Sequence, residues 1–400
     1  MRARWSAGRG LRVLVAPLVV AGLLTGLGQG DALASACATS TGTGWKQVPS
    51  PSPGSDINSL DGVAVVSSCQ AWAVGEYLNT KGPYHTLIEH WNGTAWKQVP
   101  SPSPGIIGNT LSAVAATSAT NAWAVGRYAS SRPAPTLALI EHWNGTAWKQ
   151  VPSPDPSTND NQLSSVAATS ATNAWAVGDY AGSRVEQTLI EHWNGTAWKQ
   201  VPSPNPATGG LGFNELTGVA AISATNAWAV GDYINNSDTA VQTLIAHWNG
   251  TAWQQVPSPD PSATHSVLFG VAATSATNAW AFGEFNPFGS GAKILILHWN
   301  GTAWKQVPSP NPGTPGSAGL SGITSTSAAN AWAVGGYGSS NGNAKTLILR
   351  WNGTAWKQVP SPNPGESDLS GVAATSVTNI WAVGNYVSSS GNKTLAVHCC

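Results

Sequence analysis

Charge is scarce in this chain. Of its 400 residues only 9% are Asp, Glu, Lys or Arg, 18 of each sign, and the formal net charge is zero. A nucleic-acid binder needs a basic face to displace counterions, so that class is excluded. Methionine occurs once and phenylalanine five times, which leaves a core few of its usual large residues. No segment carries apolar residues at helical spacing. After residue 36 no apolar run is long enough to cross a bilayer, so no membrane span is expected. The four cysteines include no Cys-x-x-Cys pair, which argues against a metal centre. What abounds instead is 44 Gly, 27 Pro and 21 Trp. Disordered chains are poor in aromatics, so this tryptophan load argues for a folded protein.

The first segment reads as an address. Arg2, Arg4, Arg9 and Arg12 precede and overlap an apolar run from Leu11 to Leu24, and Ala34-Ser35-Ala36 is a small-x-small cleavage site. This predicts a signal peptide over 1–36 and a secreted mature chain that begins at Cys37. Lipid attachment at Cys37 is the alternative, although Ala34 stands where that motif usually has a larger aliphatic residue.

The remainder is one unit repeated. A Trp-Ala-Val/Phe-Gly motif places Trp at 72, 123, 175, 228, 280, 332 and 381, with spacings of 49 to 53 residues. A Trp-Lys/Gln-Gln-Val-Pro-Ser-Pro motif places Trp at 45, 96, 148, 198, 253, 304 and 356. Trp-Asn-Gly-Thr-Ala supplies Trp91, Trp143, Trp193, Trp248, Trp299 and Trp351. Together these account for 20 of the 21 tryptophans.

Each copy predicts four short strands, a to d. In the third copy they are 163–170, 174–180, 188–193 and 196–201. Asn194-Gly195 predicts a two-residue type I′ hairpin between c and d, and the prolines after Val201 end strand d. Four strands in about 50 residues, repeated, is the pattern of a β-propeller blade. The reading is all-β: a seven-bladed propeller over 37–400, with blades at 60–102, 111–154, 163–204, 216–259, 268–310, 320–362 and 369–398 plus 45–51. Small residues of strand a suit a crowded hub, and the tryptophans suit the space between splayed blades. Lys46, Lys97, Lys149, Lys199, Lys305 and Lys357 on strand d read as protection of an exposed edge.

The mature chain starts with an unpartnered strand d at Trp45 and ends with an unpartnered strand c at Cys399. A closed ring lets the first strand complete the last blade. The cysteines fit closure: two disulfides are expected among Cys37, Cys69, Cys399 and Cys400, preferably Cys37 with one of the last two and Cys69 with the other.

These motifs resemble those of secreted bacterial seven-bladed propellers built from Trp-Ala-Val-Gly and Trp-Asn-Gly-x-x-Trp repeats, and more loosely kelch and galactose-oxidase-type propellers. The resemblance covers 45–398 and implies the fold. It implies no copper chemistry, because the cysteines lie at the chain ends and in a turn.

Candidate sites follow from where copies differ. The a–b and c–d turns are nearly constant, whereas the b–c and d–a loops on the opposite face vary. At the mouth of those loops stand Tyr77, Tyr128, Tyr180, Tyr233, Phe285, Tyr337 and Tyr386, preceded in four copies by Glu76, Asp179, Asp232 and Glu284. Aromatic rings beside carboxylates suit the faces and hydroxyls of sugars; the plainer reading is that the rings cap the blade cores. The repeated His90, His142, His192, His247, His298 and His398 read as structural, too far apart to share a metal. No catalytic constellation emerges and no cofactor is implied. The expectation is a monomeric, non-catalytic binding or adhesion module for extracellular glycan on the b–c/d–a face. A protein-interaction scaffold and a galactose-oxidase-like or glycan-processing enzyme are the alternatives.

Overall fold

The computed structural model describes residues 44–130, 135–183, 185–207, 212–234, 240–287, 291–339 and 342–399. The signal segment, Cys37 and Cys400 lie outside them. All described residues belong to one compact unit, Cys37–Cys400.

The sheets number seven, each of four antiparallel strands, and no helix occurs among the described residues. In blade 3 strands a to d are Asn161–Ser170, Asn173–Ala181, Glu186–Trp193 and Trp198–Gln200. Each strand a packs against strand a of the next blade, and blade 7 returns to blade 1. The protein is a seven-bladed β-propeller. Its seventh blade takes strands a to c from Ser367–Ser376, Asn379–Ser388 and Gly391–Cys399, and strand d from Trp45–Val48. Trp45 pairs with Cys399 as Trp356 pairs with Trp351 in blade 6, so the first strand of the chain completes its last sheet. Ser50 Oγ donates to Thr394 Oγ1 at 2.6 Å across the same junction. Cys69 and Cys399 are both disulfide-bonded.

The core lies between blades. The strand-b tryptophan of one blade, 0–3% exposed in every copy, enters a notch made by the strand-c and strand-d tryptophans of the next. Trp123 lies 4.8 Å from Trp193 and 5.1 Å, edge-on, from Trp198. Trp175 repeats this with Trp248 and Trp253, and Trp381 closes on Trp91 and Trp96 of blade 1. Between blades 6 and 7 the notch holds Cys399 in place of one ring, and Trp332 meets Trp45 at 5.5 Å. Edge-to-face contact sets the positive rim of one indole against the negative face of another. The strand-d lysines are exposed.

The hub explains the glycine of the Trp-Ala-Val-Gly motif. Strand a carries two bulges per blade at the same places; the first lies between Leu163 and Ser165 in blade 3 and between Leu60 and Gly62 in blade 1. Opposite it strand b approaches so closely that a Cβ on Gly178 would overlap the carbonyl oxygen of Gln162. The bulged residue turns its side chain into the central channel.

One expectation is corrected. The c–d connection is not a two-residue type I′ turn. Trp193 pairs with Trp198, leaving a four-residue loop, Asn194 to Ala197. Only Gly195 has positive φ, 94°. Asn194 instead bends the chain with its side chain: Oδ1 accepts from Thr196 N and Ala197 N, both at 3.0 Å, and from Thr196 Oγ1 at 2.8 Å. The motif is therefore a side-chain-capped loop, and strand d starts two residues later than predicted.

Trp175→Ala removes a ring enclosed between Trp248 and Trp253 of the neighbouring blade and His192 of its own. It is expected to cost about 3–5 kcal/mol in denaturant unfolding, while Lys149→Ala on the rim changes stability by less than about 0.5 kcal/mol.

Candidate functional site

The seven candidate aromatics all stand at the outer end of strand b, half-buried. Each packs on the apolar cluster of a blade interface, Tyr77 against that of blades 7 and 1 and Tyr128 against that of blades 1 and 2. Tyr180, Tyr233, Phe285, Tyr337 and Tyr386 do the same around the ring. They form seven separate positions, and their first role is to seal the core.

Two of the predicted residues meet in one cleft. Between blades 1 and 2 on the b–c/d–a face lies a hollow of about 550 Å³ lined by Glu76, Tyr84, Thr110, Arg127, Tyr128 and Thr136, with Ile107, Gly108 and Ala129. Its floor is fixed by buried Asn109, whose Oδ1 accepts from Gly105 N at 2.6 Å and whose Nδ2 donates to Tyr84 O at 2.9 Å. Thr110 Oγ1 donates to Glu76 Oε2 at 2.6 Å, and Arg127 Nη1 donates to Gln162 Oε1 at 2.7 Å. Glu76 and Arg127 thus line the same cleft with separate partners. Arg127 was not among the predicted residues. The signal was present: it is the only cation at a position that elsewhere holds Glu76, Asp179, Asp232, Glu284, Gly336 or Asn385.

The other acids have different surroundings. Asp179 and Asp232 are buried, 4% and 3% exposed. Each is pushed up to about 8, by burial first; a hydrogen bond to Glu186 adds to the effect at Asp179, and the charge of Glu215 at Asp232. Burial and the second carboxyl both favour the protonated form, and each hydrogen-bonds that carboxyl, which suits structure better than recognition of a charged ligand. Glu284 meets His265 at 3.5 Å. Phe285 borders a smaller hollow of about 350 Å³ with Lys293 and Asn311.

The repeated histidines stack on the strand-b tryptophan of their own blade at 4.2–4.5 Å. Five also share a hydrogen bond with an asparagine that starts strand b, as His142 Nε2 does with Asn121 Oδ1 at 2.8 Å. Burial holds them below the usual imidazole range. Arg350 takes the place of the seventh, 5.1 Å over Trp332.

No family model matches the sequence, and no curated protein matches it. Solved structures share the fold at low identity. A structure described as YCF48 bound to D1 peptide has TM-score 0.54 at 14% identity, over 89% of this chain and 96% of that one. The GH74 xyloglucanase from Xanthomonas campestris has TM-score 0.50 at 13% identity, over 88% of this chain and 55% of that one, so this chain spans about half its length. A polysaccharide lyase of family PL25, an ulvan lyase, has TM-score 0.50 at 10% identity, over 88% and 93%. At these identities the likeness shows the propeller fold.

The acid before the strand-c histidine yields a prediction. Glu89, Glu141 and Glu191 are 0% exposed. Neither carboxyl oxygen of Glu89 or Glu141 has a hydrogen-bond partner, and Glu191 has one, Ser153 Oγ at 2.7 Å. Burial pushes Glu89 and Glu141 up to about 9 and Glu191 up to about 8. The folded chain holds these protons where the unfolded chain, at the ordinary value of about 4.5, has released them. Their contribution is fully present below that value and is lost as pH rises to about 9, at up to about 1.4 kcal/mol per pH unit per group. Melting temperature should therefore fall from pH 5 to pH 9, and Glu141→Leu, which copies Leu297 and Leu349 of later blades, should flatten the profile. An unchanged profile in Glu141→Leu counts against it.

Proposed function

We propose that this protein is a secreted, non-catalytic binding module that holds extracellular carbohydrate in the cleft between blades 1 and 2. The observation that carries the reading is the cleft's composition: two tyrosine rings, a carboxylate and a guanidinium that do not neutralise each other, and threonine hydroxyls. Sugars present apolar C–H faces, which tyrosines cover, and fixed pairs of hydroxyls. Glu76 accepts from such a pair, and Arg127, with one of five N–H donors engaged by Gln162, donates to it. The volume of about 550 Å³ falls in the range of small-molecule sites. The predicted signal peptide supports secretion, and a mature N-terminus at Cys37 is expected on sequencing the exported protein.

A glycan array on the exported protein tests the reading. Binding is expected for the native chain. Arg127→Ala should weaken it at least tenfold, because a hydrogen bond to a charged group contributes about 1.5–3 kcal/mol. Tyr128→Ala should weaken it too, with some loss of stability because the ring also packs on the core. No signal on any glycan overturns the carbohydrate reading. Capture of one defined protein partner would then favour the scaffold, and turnover of a polysaccharide would favour an enzyme.

A further inference from the structure

The central channel holds a feature that the blade 1–2 cleft does not explain. Seven bulged residues, one from each strand a, point into it. Five are hydroxyl residues: Ser112, Ser164, Thr217, Ser321 and Ser370. Two depart from the pattern, Asp61 in blade 1 and Phe269 in blade 5. Blade 5 stands four blades from blade 1 one way round and three the other, so the acid and the ring face each other across the channel. Packing absorbs neither departure completely. Phe269 is 38% exposed, one of few large apolar side chains so open among the described residues. Its aromatic neighbour, Phe282 at 6.4 Å edge-on, is also particular to blade 5, where the other six blades have valine, and it leaves that much of the ring uncovered. Asp61 accepts one hydrogen bond, from Ser59 Oγ at 2.8 Å, on a single carboxylate oxygen. Among the described residues it is the one ionisable side chain lining the channel, so no fixed cation there balances it.

We propose that the channel is a second ligand site and that it takes a small organic ammonium ion, with Asp61 receiving the cationic head and Phe269 the apolar body. The surrounding hydroxyls accept the remaining N–H donors. One carboxylate among hydroxyls is a poor donor set for a bare divalent metal, which wants six or more oxygens or several charged ligands. A cation that brings its own apolar surface uses both departures at once, and an exposed phenyl ring favours such a cation further through its negative face. The channel volume of about 240 Å³ is below the range of drug-sized sites, so a compact amine fits and an oligosaccharide does not. Burial, with the nearby charge of Glu76 as a lesser cause, raises Asp61 to about 6. A ligand cation beside it holds the carboxyl ionised, so binding weakens as pH falls below that value.

Titration calorimetry with benzylammonium chloride, and with benzyl alcohol as its uncharged counterpart, tests the site. The native protein should bind benzylammonium at pH 7.5 at least tenfold more tightly than benzyl alcohol, and more weakly at pH 5. Asp61→Asn should lose at least tenfold. Phe269→Ser, which copies the residue of four other blades, should lose severalfold without loss of melting temperature. Arg127→Ala in the cleft should bind benzylammonium as the native protein does. Absence of binding at millimolar ligand, equal affinity in Asp61→Asn, or loss of binding in Arg127→Ala overturns the proposal. None of these outcomes depends on glycan binding in the cleft.

Discussion

No blade of this protein can bury its own tryptophan. Trp123 is fully enclosed; His142 of its own blade covers one face, but the indoles that close the rest, Trp193 and Trp198, belong to the next blade. A stack of such units always leaves one end with an indole in water, and the arrangement is satisfied only when the last blade meets the first. That is why the chain is divided as it is. Strand d of blade 7 comes from residue 45 and strand c from residue 399, so the notch for Trp332 is assembled from both ends of the chain. The contacts that hold this junction span 344 residues. A chain that lacked either end would leave two blade faces open, not one. The cysteine at position 399, in the slot where other blades carry a tryptophan, exchanges ring contact for a covalent link.

A second constraint works from the centre outward. Seven strands converging on an axis leave little room for side chains, and Gly218 approaches Gly270 so closely that a Cβ would lie 2.6 Å from its Cα. The bulge resolves the crowding by twisting strand a and turning one side chain into the channel. The close approach of strand b behind it then demands glycine at 178 and its equivalents. The motif's tryptophan and glycine are thus separate requirements, one set at the blade interface and one at the hub, three residues apart on the same strand.

These two constraints explain what could be read without coordinates. Period, blade number, closure by the first strand and the places of the tryptophans were legible, because each is a repeated steric demand that leaves the same residue in seven copies. The c–d turn was misread because Asn-Gly has two ways to bend a chain. Only the pairing of Trp193 with Trp198 shows that the asparagine acts through its side chain. The cleft was half legible. Glu76 and Tyr128 could be singled out from their place at the loop mouths, and Arg127 stands beside Tyr128 on the same strand, but Glu76 and Tyr84 belong to two strands of blade 1 and Arg127 and Tyr128 to blade 2. Sequence order does not show that these meet. Nor could it separate Asp179, whose carboxyl is buried against Glu186, from Glu76, which lines an open hollow.

What distinguishes structural variation from functional variation in a repeat protein is whether a departure is compensated. In blade 2, Ala138 replaces the threonine that bonds a serine in five other blades, at Thr86, Thr188, Thr243, Thr346 and Thr394. The freed Ser153 turns to Glu191 of blade 3. The missing histidine of blade 6 is answered by Arg350 stacking on the same tryptophan. Such pairs restore a contact and carry no message beyond the fold. Arg127, Asp61 and Phe269 differ in kind: each departs from its six counterparts and each is open to a cavity; no neighbouring change takes up the charge of Arg127 or Asp61, and Phe269 stays 38% exposed beside Phe282, itself a valine in the other six blades. The interfaces that stabilise the fold do not require these residues, and it is on that contrast that the proposed cleft and channel sites rest.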